Sequence, residues 1–373
     1  MRRAATMLIS IVLVLLLVGI VMLYSTSSAR GSVPLFYLKR QLVWLCVAII
    51  AGTVVSKLDY HLWKKFALPL VVVTIILLVC VFVPGIGAKV KGSYRWIKLG
   101  PIRFQPSELA KLAAIAGVST WMSIFGRRAG EFKYGLLYPF GGLSVVIGLV
   151  FLEPDYGTTF VTIIVGMAIM FAAGTKFFHL LVTAVIGILL FGLAIMQSPV
   201  RQGRILSFLW PEKFPDQAYH LKQSIIAFKM GGLWGVGLGN SMQKRIYLPE
   251  AHTDFILAII AEELGFIATL LVVLLFVGIF ICGITISYRA SDSFGRLLGF
   301  GITMMISLQA AFNIGVVTGC LPTKGLPLPF ISYGGSSLVM ATVMVAILLS
   351  IAQCSEDGGG KSARSVKDQA HRL

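Results

Sequence analysis

Charge is what this sequence has least of. Only 13% of its 373 residues are Asp, Glu, Lys or Arg, against 57% hydrophobic, too little polar surface to cover a water-soluble fold of this length. Acid is scarcer than base, with 15 Asp and Glu against 32 Lys and Arg. Cysteine numbers five, and Cys46, Cys80, Cys282, Cys320 and Cys354 show no CxxC or Cys/His spacing. That pattern gives no disulfide framework or thiolate metal site and reads as small buried hydrophobes. A phosphate-binding loop is also missing. GGLWGVGLGN (231–240) lacks the Lys-Ser/Thr of a Walker motif and follows no strand, so its glycines are expected to permit close backbone packing. No internal repeat is visible, and neither nucleotide nor nucleic acid is an expected partner.

What the chain does have is long apolar runs. Crossing a hydrocarbon core of roughly 30 Å takes about 20 residues at 1.5 Å each. About ten such runs are present, near 7–24, 41–57, 66–84, 106–125, 135–152, 158–173, 177–196, 254–287, 297–318 and 336–353. The eighth is too long for one straight span and is expected to tilt or protrude. The first, after Met1-Arg2-Arg3, exceeds the 7–15 residues of a signal-peptide core and is read as a retained anchor. The expected fold is an all-α integral membrane bundle over 1–353, with a long outer loop at about 197–253 between spans seven and eight. A disordered tail is expected over 354–373, where Gly-Gly-Gly and scattered charges replace apolar periodicity.

Ten spans put both termini on one side. That side then holds 15 Lys and Arg, the other holds 16, and Lys111 lies within a span, so counting basic loops does not orient the chain. Two loops gather the outer charge. One carries Lys89, Lys91, Arg95, Lys98 and Arg103; the other, about 197–253, also carries Trp210, Tyr219, Trp234 and Tyr247. Basic residues at a membrane surface attract phosphate, on anionic lipid or on a specific substrate. Long loops in a compact protein are usually functional, and these amphipathic rings suit an interface.

Four of the 15 acids lie in YLPEAHTDFILAIIAEELG (247–265), with Glu250, His252 and Asp254 at the mouth of span eight and Glu262 and Glu263 deeper. Thr253 is a candidate cap, and Asp254 at the first helical turn is either a favourable end charge or a site. Glu262 and Glu263 lie about 12–13 Å further along and point elsewhere around the helix. Carboxylates at that depth need partners. The partner expected for them lies in span four, where Glu108 and Lys111 at i and i+3 form either a structural ion pair or the wall of a polar cavity. LPTKGLPLPFISYGGSS (321–337) cannot be regular helix, so it is irregular backbone at a membrane boundary, offering Lys324 and Ser332 to a substrate.

GSYRWIKLGPIRFQPSELAKL (92–112), GLGNSMQKRIYLPEAHTDFILAIIAEELG (237–265) and LPTKGLPLPFISYGGSS resemble, in order and across nearly the whole chain, the SEDS family of shape, elongation, division and sporulation proteins. Pro322-Thr323-Lys324-Gly325 and Tyr247 to His252 are similar to its division branch more than to its elongation branch. The resemblance implies a peptidoglycan glycosyltransferase. It would polymerise lipid II into a growing glycan chain on the outer face of the bacterial cytoplasmic membrane, beside a class B penicillin-binding protein and other division-complex membrane proteins. It also implies cytoplasmic termini, location at the division septum, and an essential acid at Asp254. Glu108, Lys111 and Arg95 match further family positions.

The expected chemistry follows from those residues. Asp254 would take the acceptor hydroxyl proton, and Arg95, Lys111, Lys324, His252 and Ser332 would contact substrate or diphosphate. Glu108 would orient Lys111, with Glu250, Glu262 and Glu263 in support. No cofactor is certain; Asp254 is alternatively a ligand to a Mg or Mn ion bridging the diphosphate. A lipid II flippase, an elongation-branch polymerase and a silent division scaffold are the rival readings.

Overall fold

The structure, a computed structural model, describes residues 1–28, 35–90, 93–100, 102–196, 199–248, 251–323 and 325–370. Each of the ten apolar runs becomes a helix. In chain order they are α1 (Arg2–Ser28), α2 (Phe36–Lys57), α4 (Ala67–Cys80), α5 (Pro106–Phe125), α6 (Tyr138–Leu152), α7 (Tyr156–Ala172), α8 (Phe177–Met196), α11 (Ile256–Tyr288), α12 (Ser293–Val317) and α13 (Gly335–Ala370). Shorter pieces interleave: α3 (His61–Lys65), α9 (Pro199–Leu209) and α10 (Pro215–Gly231). Seven of the ten are long and apolar enough to cross a membrane, while α4, α7 and α8 are shorter apolar helices. Leu68, Ile188 and Leu189 leave well over half their surface uncovered, an exposure that lipid tolerates and water does not. The chain is a multi-pass helical membrane protein.

Side-chain patterning decides which helices sit inside. The eight residues Ile256 to Glu263 of α11 are all buried, the signature of a helix enclosed by others. Around it stand α1, α10 and α12, with α5 and α13 beyond, and α13 lies along α2. The ends of the helices follow local chemistry. Asp155 accepts from Thr158 N and starts α7; Asp292 accepts from Phe294 N and Gly295 N and starts α12.

The over-long eighth run is resolved by a break. Its 33 residues would measure about 50 Å as one helix, but Gly265, at φ 82°, interrupts the helical backbone. The glycine-rich stretch 231–240 docks at this kink. Val236 N and Gly237 N donate to Glu262 O and Glu263 O, and Phe266 N donates to Gly232 O. A Cβ on Gly235 would fall 2.2 Å from Glu263 O, and one on Gly265 would fall 2.4 Å from Gly235 N. The expected close backbone packing is therefore present, and the long loop is fastened to the bundle.

Three features depart from expectation. Thr253 does not cap α11: residues 251–255 form a turn and the helix begins after it, with Phe255 as N-cap and no side-chain bond. The basic loop after α4 folds into a small antiparallel sheet, β1 (Gly87–Val90), β2 (Ser93–Leu99) and β3 (Ile102–Phe104). Past Ser355, where a disordered tail was expected, the backbone continues as helix to Ala370.

Candidate active site

The end of the bundle that carries the sheet and the long loop also gathers the acidic stretch. Residues 251–255 form a turn that leads into α11, and partly buried Asp254 sits in it. Three bonds fix this turn through its carbonyls. Tyr333 N donates to His252 O at 2.9 Å, Ser332 Oγ to Thr253 O at 2.6 Å and Asn313 Nδ2 to Asp254 O at 2.9 Å. The irregular segment predicted from its prolines thus runs beside the turn. Gly325 lies so close that a Cβ there would fall 2.9 Å from Asp254 Oδ2, so a side chain at that position would press on the carboxylate. Phe330, with φ 66°, holds a left-handed conformation worth of order 1–3 kcal/mol of strain, consistent with a loop held by its surroundings.

The other predicted residues are placed around this turn and beyond it. His252 is buried and stacks on Tyr37, with ring centroids 4.1 Å apart, next to Tyr333. Ser332 donates to Thr253 O and accepts from Leu328 N at 2.8 Å, so its hydroxyl ties the loop to the turn. Arg95 reaches across from β2, its Nε and Nη2 donating to Glu153 O (2.9 Å) and Pro154 O (2.6 Å) between α6 and α7. Glu250 and Lys324 lie outside the described residues.

Glu108 and Lys111 form the expected ion pair, 2.7 Å apart and almost fully buried. Lys111 Nζ also donates to Gln309 Oε1 at 2.9 Å, so it faces α12. The expected link from Glu262 and Glu263 to span four is not made. Glu263 pairs instead with buried Lys244 and with Ser25 Oγ, which Lys244 also contacts at 2.7 Å. Glu262 accepts from Ser241 Oγ and, at 2.9 Å, from Met242 N. Both acids hold the loop onto α11, and Glu263 adds α1. Buried carboxylates at this depth persist because each is paired and hydrogen-bonded.

Residues that sequence reasoning passed over complete the site. Asn313, Gln309, Gly325 and Tyr37 carry no motif of charge. Lys98 and Arg103 are exposed and directly opposite each other in the β2–β3 ladder, a like-charge pairing that is unfavourable without an anion nearby. Arg40 and Arg103 also bear on the Tyr333 phenol, whose pKa burial raises above its ordinary value against the pull of the two arginines. Among the described residues, no group of three or more His, Cys, Asp or Glu is placed to hold a metal ion.

These features define a multi-pass membrane protein with a polar site under the loops at one end of its bundle. Residues 5–357 match the FtsW/RodA/SpoVE family, described as cell cycle protein, and the chain belongs to it, as its motifs implied. It is 41% identical over 338 residues to the probable peptidoglycan glycosyltransferase FtsW of Trichlorobacter lovleyi, covering 89% of each chain. It is 38% identical over 354 residues to the stage V sporulation protein E of Bacillus subtilis, covering 94% of this chain and 97% of that one. Among solved structures it resembles a chain from a peptidoglycan synthase complex that coordinates polymerization and crosslinking, with TM-score 0.77, 27% identity and coverage of 93% and 97%. The rod shape determining protein RodA of Thermus thermophilus gives TM-score 0.70 at 25% identity, with coverage of 93% and 95%.

Proposed function

We propose that this chain is a peptidoglycan glycosyltransferase that polymerises lipid II during cell division. The observation that carries the reading is Asp254, whose turn is fixed by three backbone bonds in a chain 41% identical to a probable enzyme of that kind. Asp254 acts as general base, taking the proton of the acceptor sugar's 4-hydroxyl. The new O–C1 bond forms as the bond from C1 to the donor's phosphate oxygen breaks, and the lipid diphosphate departs carrying that electron pair. Cations offset the growing charge on the diphosphate. Arg40 and Arg103, which both bear on the Tyr333 phenol, and Lys98, opposite Arg103 in the ladder, are suited to this, as is Lys324 by preceding Gly325 in sequence. Arg95 and Lys111, each occupied within the fold, support the site's frame rather than the phosphate.

The site end faces outward in this reading and both termini lie in the cytoplasm, at the division septum. A class B penicillin-binding protein crosslinks the product alongside. The test supplies purified protein, with that transpeptidase, with detergent-solubilised lipid II. Glycan polymer from wild type and none from Asp254→Asn is the expected result. Equal polymer from both would remove Asp254 from the chemistry. No polymer, with lipid II crossing vesicle membranes instead, would replace the polymerase with a flippase.

A further inference from the structure

Two neutral amides on α12 stand between the buried ion pair and the Asp254 turn. Gln309 and Asn313 are four residues apart, so they share one helix face, and both are at least 96% buried. Asn313 Nδ2 has two hydrogens and spends both on carbonyls: Asp254 O at 2.9 Å and Leu326 O at 2.7 Å. Gln309 Nε2 donates to the next carbonyl, Pro327 O, at 2.9 Å, while its Oε1 accepts from Lys111 Nζ at 2.9 Å. Lys111 is in turn held by Glu108 at 2.7 Å. The two carbonyls on the irregular segment are consecutive and immediately follow Gly325, whose backbone abuts the Asp254 carboxylate.

We infer that Gln309 and Asn313 are positioning residues that set the distance between Asp254 and the 325–327 segment. The inference rests on the reading of Asp254 as the base. Neither amide touches the reacting atoms. Asn313 grips the turn and the segment with the two hydrogens of one nitrogen, which fixes the spacing between their carbonyls. Its orientation is dictated, since the flipped amide would turn Oδ1 toward two carbonyl oxygens. That Oδ1 accepts no hydrogen bond among the described residues, so the residue's polarity serves its donors. Gln309 repeats the grip one residue further along, and the Glu108–Lys111 pair fixes the orientation of its amide, because only Oε1 accepts from an ammonium. The buried ion pair thereby acts on the site from two steps away. A charge-bearing substrate need never reach it.

The experiment measures lipid II polymerisation and thermal unfolding for Asn313→Leu, Asn313→Asp and Gln309→Leu beside Asp254→Asn. Displacing a reacting group by about 1 Å lowers turnover by up to about 100-fold, so kcat is expected to fall about 10- to 100-fold for the Asn313 variants. KM for lipid II should stay within about threefold, the pattern of an interaction expressed in the transition state. Asn313→Asp supplies a second readout. Its ionised carboxylate cannot donate, whereas its protonated form offers one O–H, so its activity relative to wild type should recover as pH is lowered. Wild-type kcat in folded Asn313→Leu or Asn313→Asp would overturn the inference. So would a loss matched by the fraction of unfolded protein with no recovery at low pH. The underlying reading fails separately, if Asp254→Asn itself polymerises normally.

Discussion

Asp254 and Glu263 lie nine positions apart in one stretch, yet the fold anchors them in different ways. Around Asp254 the backbone is tied down: three consecutive carbonyls, of His252, Thr253 and Asp254, each accept from the 313–333 region. Around Glu262 and Glu263 the side chains themselves are tied down, by Lys244, Ser25, Ser241 and the Met242 amide. The first arrangement aims an acid, and the second neutralises one. A buried acid saturated by internal partners carries architecture. An acid whose turn is fixed through its main chain has its position set by the backbone.

The sharpest way to break this contrast is to change each acid's charge alone. Asp254→Asn is expected to lower lipid II turnover by about 100- to 10,000-fold, the span for loss of a general base, with the melting temperature close to wild type. A variant that lost activity only through unfolding would put Asp254 on the architectural side. Gly325→Val presses on the same carboxylate from the backbone. Because the clash falls on Asp254 Oδ2, we expect turnover to drop about 10- to 100-fold while the fold persists, as read by kinetics and melting together.

Lys244→Met tests the architectural side. Removing one member of a buried pair leaves the other charge unpaired, typically at about 3–5 kcal/mol, so this variant should melt lower and be recovered in smaller amount. Replacing Glu263 by Gln in the same chain should restore part of that stability. A single Lys244→Met chain as stable as wild type would show that the loop is held otherwise.

The smallest effect concerns pH. Glu153, fully buried in the turn that Arg95 grips, makes no carboxylate hydrogen bond among the described residues. Burial, then the charge of Asp155, pushes it up to about 8, against the pull of Arg95. In the unfolded chain it titrates near 4.5. The folded state therefore keeps a proton that the unfolded chain loses, and this contribution to stability is complete below about pH 4.5 and gone above about 8. Glu153→Gln should remove that dependence, so its melting temperature should gain on wild type steadily as pH rises between those values. A constant difference would mean that Glu153 is already ionised in the fold.

Much of this was legible from residue order alone. The ten helices follow from apolar runs near membrane length, and Glu108–Lys111 follows from i, i+3 spacing. The need for irregular backbone at 321–337 follows from its prolines. What was hidden depended on distant contacts. Ser25 and Glu263 meet across 238 positions, and Lys244 reaches Glu263 only because the glycine-rich stretch docks at the Gly265 kink. The start of α11 was misplaced because Thr253 looks like a cap, whereas its carbonyl serves Ser332 and its helix begins later. The three strands are four, seven and three residues long, too short to announce themselves amid Lys and Gly. Asn313 and Gln309 were invisible because an uncharged amide within an apolar helix gives no sign of which backbone it holds.

The most direct test is turnover and melting temperature measured together for two variants, Asp254→Asn and Glu263→Gln, each purified with its partner transpeptidase and supplied with lipid II. We predict that Asp254→Asn melts like wild type and makes no polymer, while Glu263→Gln melts lower yet, below its own melting temperature, still polymerises lipid II. Polymer from Asp254→Asn, or a Glu263→Gln chain that is fully stable and fully inactive, would contradict the division of labour proposed for this stretch.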